Sequence, residues 1–335
     1  MYKLPSFLSL SLLLLFTMTS CGAGAKKDQA QPALKAVSIP AFNADSAYHY
    51  VEAQTLFGPR VPNSKAHEAC KEYLASYLRN TGAQVIEQSA KLKAYDGTIL
   101  GATNIIASFQ PENKNRILLC AHWDSRPWAD NDPDEKNWHT PIMGANDGAS
   151  GVGVLMEIAR QLGLETAKKN QPNVGIDIIF FDAEDCGTPK FYEGKDDEES
   201  WCLGTQYWAQ NPHVPGYNAE FGILLDMVGG SAPNFLYEYI SYKHASQVLQ
   251  LVWEKAASLG YNTYFKQENG GAITDDHLYI NKMMHIPCID VIDFDPSSKS
   301  GFVPAWHTLD DTMKNIDKTT LKAVGETLLN VIYTE

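Results

Sequence analysis

Residues 176–185 read "IDIIFFDAED": a short run of mostly β-branched and aromatic residues that stops abruptly in acids. The run has the length and composition of a strand buried on both faces, and its tail has the composition of a turn. Three further stretches share this design: "RILLCAH" (116–122), "FGILLDMVGG" (221–230) and "IPCIDVIDF" (286–294). Helical periodicity predicts helices over 44–57, 65–80, 149–164, 245–259 and 319–333, with extended pieces at 85–92 and 99–109. "FGPRVPNS" (57–64) and "QPENKN" (110–115) are turns between them. Near-continuous apolar strands between helical segments indicate a parallel or mixed sheet covered on both sides. No internal repeat or domain break interrupts the pattern. The expected fold is α/β: one domain over 41–335, with a central mixed, largely parallel sheet flanked by helices on both faces.

Working outward, 335 residues are enough to bury one large core or two modest ones. The composition is 44% hydrophobic and 20% charged, as in ordinary globular proteins. A net charge of −13 excludes a nucleic-acid partner, which would call for a basic stripe. It fits a protein that acts on small or peptidic partners. At the N-terminus, Lys3 precedes a short apolar run (7–16) and then "TMTSCGAG". That run is too short for a spanning helix and has the layout of a secretory signal. Thr19 and Ser20 before Cys21 resemble a bacterial lipoprotein signal, so residues 1–21 are expected to be the signal and Cys21 the acylated residue. Residues 22–40 read as a flexible tether. The expectation is an exported lipoprotein, monomeric and facing the periplasm or outer membrane of a Gram-negative bacterium, attached to the membrane only through Cys21.

Without Cys21, five cysteines remain: Cys70, Cys120, Cys186, Cys202 and Cys288. Export permits disulfides, and Cys186 with Cys202 would close a short loop; buried free thiols are the alternative. No CxxC occurs, which argues against a cysteine-based zinc site.

In three of the strand-like runs the apolar stretch ends in a group able to bind metal: His122, Glu184 with Asp185, and Asp226. In open α/β sheets ligands bind beyond the carboxyl ends of the strands, so side chains distant in sequence converge there. Asp147 in "GANDGASG" (144–151) and His307 in "PAWHTLDD" (304–311) join the set. Singly, each has a plain alternative: Asp147 as a helix cap, Asp182 and Asp185 as turn residues, a lone histidine as structural. Together, two histidines and several carboxylates form a ligand set suited to zinc. Without a cation, such carboxylates would repel one another in a dry crevice.

The order His122, Asp147, Glu184–Asp185, Asp226, His307 resembles the zinc aminopeptidase superfamily over about residues 44–335. In that family five such ligands hold two zinc ions, and the first acid of the acidic pair is the general base. Two details resemble one branch, the glutaminyl cyclases: Asp275 in "ITDDH" (273–277), where the peptidases usually carry serine, and Trp306 before His307, where they commonly carry tyrosine. "FFDAED" and "WCLGTQYWA" also resemble bacterial cyclase segments. The resemblance implies one zinc, with a second as the alternative, held by Asp147, Asp185 and His307. Glu184 would be the base, with Asp226 and Asp275 sharing its protons, and Trp306 and Ile273 would contact substrate. His122 and Asp124 would either complete a second metal position or support the ligands from behind, and Arg126 and Trp128 on the same loop, "WDSRPWAD" (123–130), would support the site as well. Asp276 and His277 would stand behind the site or begin a helix.

Animal cyclases carry glutamate where this chain has Asp185. Aspartate is one methylene shorter, so either the strand end lies closer to the metal or the metal sits elsewhere. The implied reaction closes an N-terminal glutamine into pyroglutamate on peptide or protein substrates and expels ammonia. The rival reading is a two-zinc aminopeptidase.

Overall fold

The computed structural model describes residues 38–195 and 198–335. The expected signal, Cys21 and most of the tether lie outside the described residues. The elements run α1 (Ala44–Thr55), α2 (Lys65–Asn80), β1 (Gln84–Lys93), β2 (Ile99–Phe109), β3 (Arg116–His122), α3 (Ala149–Ala167) and β4 (Gly175–Phe181). They continue with α4 (Leu203–Gln210), β5 (Phe221–Asp226), β6 (Phe235–Tyr237), α5 (Tyr239–Ser258), β7 (Phe265–Asn269), α6 (Asp276–Tyr279), β8 (Cys288–Ile292) and α7 (Lys318–Thr334).

Six strands form one sheet in the order β1-β2-β4-β3-β5-β8. β4, β3, β5 and β8 pair in parallel; β2 joins β4 antiparallel and β1 joins β2 antiparallel. This is the expected mixed, largely parallel sheet. Every residue of β3, β4, β5 and β8 is buried, so hydrophobic side chains occupy both faces and the runs look continuous in sequence. The period of two remains: Ile117, Leu119 and Ala121 of β3 point into a core shared with α1, α2, α3, α5 and α7, whereas Leu118 and Cys120 point into a smaller one built with Trp208 of α4 and Ile280.

Some helix boundaries differ from the periodicity. α1 ends two residues early, at Thr55, before the left-handed Gly58 (φ 93°). α5 starts six residues early because the buried Glu238 accepts hydrogen bonds from the N–H groups of Ile240 and Ser241, capping a first segment that has no apolar stripe. The two segments of α5 meet at a kink at Ala245 (φ −139°, ψ 36°). α3 can approach the sheet because Gly151 has no Cβ; one built there would lie 2.2 Å from the Leu225 carbonyl oxygen. Among the described residues, no helix is long and apolar enough to cross a membrane.

Candidate active site and metal centre

Because β3, β4 and β5 run parallel, their carboxyl ends bring His122, the Glu184–Asp185 turn and Asp226 to one rim. The turns that follow are tight. Ala183 (φ 53°) and Met227 (φ 47°) are left-handed, as is His307 itself (φ 54°), conformations that non-glycine residues adopt at a cost and that cluster at functional sites. Asp147 does not cap α3: Gly148 occupies the cap position with φ 92° and makes no side-chain bond. A Cβ on Gly148 would lie 2.6 Å from the Asp124 carbonyl oxygen and 3.0 Å from the His122 ring. Asp311 accepts hydrogen bonds from the N–H groups of Asn146 (2.8 Å) and Asp147 (3.1 Å), which leaves the Asp147 carboxylate free to face the histidines.

Among the described residues, four buried groups of potential ligands each have their atoms within 4.8 Å of one another. Glu184 with Cys202 and Asp275, and Asp275 with His277 and Asp290, make two; the other two are the histidine–carboxylate donor sets that share Asp147. In the first donor set, His307 Nε2 lies 3.5 Å from Asp147 Oδ2 and 3.1 Å from Asp185 Oδ1. In the second, His122 Nε2 lies 3.0 Å from Asp147 Oδ1 and 3.3 Å from Asp226 Oδ1. Asp147 is common to both. Asp147 Oδ2 and Asp185 Oδ2 are buried without a hydrogen-bond partner, a costly state that a cation would relieve. Nitrogen and carboxylate donors at such spacing fit zinc. Burial, reinforced by the Arg126 charge, lowers the His307 pKa to about 3, so its ring is neutral and able to ligate.

Asp124 lies beneath this rim. Its oxygens accept the N–H groups of Glu184 (3.1 Å) and Asp185 (3.2 Å), and Oδ1 lies 3.4 Å from His122 Nδ1. Against the penalty of burial, hydrogen bonds to Asp124, Asp147 and Asp226 hold the His122 pKa well above its ordinary value. Asp182, an alternative turn residue, instead anchors the strand end from behind: it bonds His67 Nε2 (2.9 Å) and accepts the Thr103 N–H (2.6 Å).

Glu184 is not part of the first donor set; it groups with Asp275 and Cys202. The Cys202 thiol donates to Glu184 Oε1 at 3.2 Å, and the Cys202 N–H donates to the Glu184 carbonyl. Burial, with Asp275 and Asp185 nearby, raises the Glu184 pKa well above the usual carboxylate range. Asp226 rises to about 7 through burial and the nearby Asp147 charge. Asp275 caps α6 by accepting the Asp276 N–H, while its other oxygen has no partner. Asp276 accepts from Thr205 (2.6 Å), and His277 pairs with Glu238 (2.9 Å). Both stand behind the site.

These groups open into a cavity of about 490 Å³ that Asp275, Ile273, Phe302 and Trp306 help to line. Trp306 stacks on His307, ring centroids 3.8 Å apart, and packs against Phe302 at 4.5 Å. The structure thus brings Asp147, Asp185, His307, His122, Asp226, Glu184 and Asp275 together at the rim, with Trp306 and Ile273 lining the cavity and Asp124, Asp276 and His277 behind it. Cys186 and Cys202 carry buried free thiols, so the bridge between them does not form. Sequence reasoning missed Cys202, Asp130, Asp311 and Glu238; all are buried polar partners, for which the chain offers no motif.

The fold and donor sets define a class: metal-dependent α/β enzymes whose centre lies on the carboxyl rim of the sheet. Within that class the chain belongs to peptidase family M28, whose model matches residues 104–332. It is 60% identical to a glutaminyl cyclase of Bacteroides thetaiotaomicron solved with N-acetylhistamine, over 89% of this chain and 100% of that one, with a TM-score of 0.86. A Zn-dependent exopeptidase of Parabacteroides distasonis is 57% identical over 89% of this chain and 100% of its own, also with a TM-score of 0.86. The glutaminyl-peptide cyclotransferase of Bos taurus is 24% identical over 90% of this chain and 87% of its own length.

Proposed function

We infer that this chain is a zinc-dependent glutaminyl-peptide cyclotransferase, converting N-terminal glutamine of peptides and proteins to pyroglutamate with release of ammonia. The observation that carries this reading is the placement of Glu184. It stands outside the Asp147–Asp185–His307 donor set, against Asp275, at the floor of a cavity walled by Trp306 and Ile273. The likeness to the bacterial cyclase supports it.

The reaction forms a bond between the α-amine nitrogen and the side-chain amide carbon of one residue, and breaks the bond from that carbon to the amide nitrogen. Both reacting groups belong to one residue, so the site need only fold it into a ring. Zinc bound by Asp147, Asp185 and His307 would supply polarisation of the amide carbonyl. Glu184 takes the proton from the attacking amine and passes it to the departing nitrogen, which leaves as ammonia. Its buried, acid-rich surroundings favour holding that proton in transit. Asp226 and Asp275 form one coupled cluster with it, so the cluster titrates as a unit. The apolar faces of Trp306, Ile273 and Phe302 exclude water that would otherwise compete with the amine.

The test offers a Gln-initiated peptide and follows its mass. The expected product has lost the mass of one ammonia, with chelator abolishing the conversion and added zinc restoring it. The Parabacteroides neighbour and the second donor set around His122 favour a two-zinc exopeptidase as the other reading. Release of a free amino acid with no ammonia would establish that reading and defeat the cyclase.

We further propose that the protein is an exported monomer anchored by lipid at Cys21, a reading supported by the Lys3, apolar-run and Cys21 pattern. Radiolabelled palmitate should enter the wild type and be absent from Cys21→Ala. Equal labelling of both would sink the anchor, and a dimer mass in solution would sink the monomer.

A further inference from the structure

The loop after His122 holds a charge pair that the reaction does not use. Arg126 is 1% exposed and Asp130 2%. The guanidinium donates to Asp130 in a fork, Nε to Oδ1 at 2.7 Å and Nη2 to Oδ2 at 2.6 Å. Its remaining nitrogen, Nη1, reaches the Asp185 carbonyl oxygen at 3.1 Å and Asp185 Oδ1 at 3.5 Å. Trp201 lies against the guanidinium, 4.6 Å from the ring centroid, and Trp128 at 5.4 Å. Asp130 Oδ1 sits 3.6 Å from His307 Nδ1, the ring nitrogen facing away from the donor set, and its other oxygen accepts the Lys190 N–H at 2.9 Å. The next residue, Asn131, donates its N–H to the His307 carbonyl at 3.0 Å, tying down the left-handed backbone there.

Resting on the zinc reading above, we propose that the Arg126–Asp130 pair is a positioning unit that sets zinc affinity by fixing Asp185 and His307. Desolvating two charges is costly and gives little net stability by itself, so a purely structural pair has no advantage over apolar packing here. What the pair provides is orientation. Arg126 pulls back the strand-end turn that carries Asp185, while Asp124 holds the N–H groups of the same turn from the other side. The short Asp185 side chain is thereby held at 3.1 Å from His307 Nε2. Asp130 faces the rear nitrogen of the His307 ring, the place where carboxylates commonly fix the tautomer and rotation of a ligating imidazole. The planar fork and the stacked face of the guanidinium are features that lysine lacks.

The experiment measures zinc dissociation constants by competition with a chromophoric chelator, and the visible spectrum of the cobalt-substituted protein. The proteins are the wild type, Arg126→Lys, Asp130→Asn and the double variant. Each single change should weaken zinc by about 10–100-fold and alter the cobalt bands, and the double should lose much less than the product of the singles. Folded variants with a wild-type zinc constant and cobalt spectrum, even if they melt earlier, would overturn the proposal. Failure of both single variants to fold would overturn it too, in favour of a structural pair; if only one folds, its constant decides. A wild type that binds no zinc would instead refute the metal reading on which this rests.

Discussion

Replacing Glu184 with glutamine should lower kcat by about two to four orders of magnitude, the range for losing a general acid–base, while zinc content stays at the wild-type level. Glutamine keeps the shape and can still accept the Cys202 thiol through its carbonyl oxygen, but it cannot accept the amine proton. Glu184 forms no ion pair with His307, and its Oε2 stands 4.0 Å from His122 Nδ1, the nitrogen that faces away from Asp147. Burial and Asp275 already disfavour the ionised form of Glu184, so a neutral glutamine there should cost little thermal stability. Kinetics and metal analysis on the same preparation check this. Zinc lost together with activity would make Glu184 a ligand, and full activity would move the base elsewhere.

That Glu184 and Asp185 could be nominated from sequence follows from sheet geometry; the division of roles between them came from the family resemblance. "IDIIFFDAED" could be read because both faces of β4 are buried, so the run is apolar until the chain leaves the sheet, and the first polar groups beyond it stand on the rim. The same rule holds for His122 and Asp226 on β3 and β5. Asp147 was ambiguous, since an acid before a helix is a common cap. Only the coordinates show Gly148 taking that position and Asp311 holding the loop.

What could not be read were partners defined by depth alone. The sequence set Arg126 beside the site but not its partner: Asp130 lies four residues on along the same loop, a spacing that elsewhere describes solvated charges, yet both are buried. For Cys202 the sequence left a disulfide and a buried free thiol open; the thiol is free, and from its left-handed backbone it reaches Glu184, a contact no motif announces. β6, β7 and α6 are three to five residues long, below the length at which periodicity carries a signal.

The broadest effect is expected at Asp147, because it alone belongs to both donor sets. Asp147→Asn should purify without zinc and with conversion at background, since polarisation of the carbonyl accounts for several kcal/mol, about a thousand-fold or more in rate. The fold should survive, because the backbone N–H of residue 147 keeps its bond to Asp311 and the change relieves repulsion of Asp185, Asp226 and Asp311. His122→Asn makes the contrast. With one zinc per chain seated among Asp147, Asp185 and His307, His122 serves as a hydrogen-bonded cation that offsets Asp226 and Asp124. Its loss should then reduce turnover without emptying the metal site. Metal analysis of wild type and both variants separates the cases: two zinc ions in the wild type falling to one in His122→Asn would assign the second donor set to a metal. Retention of zinc by Asp147→Asn would remove this carboxylate from the centre altogether.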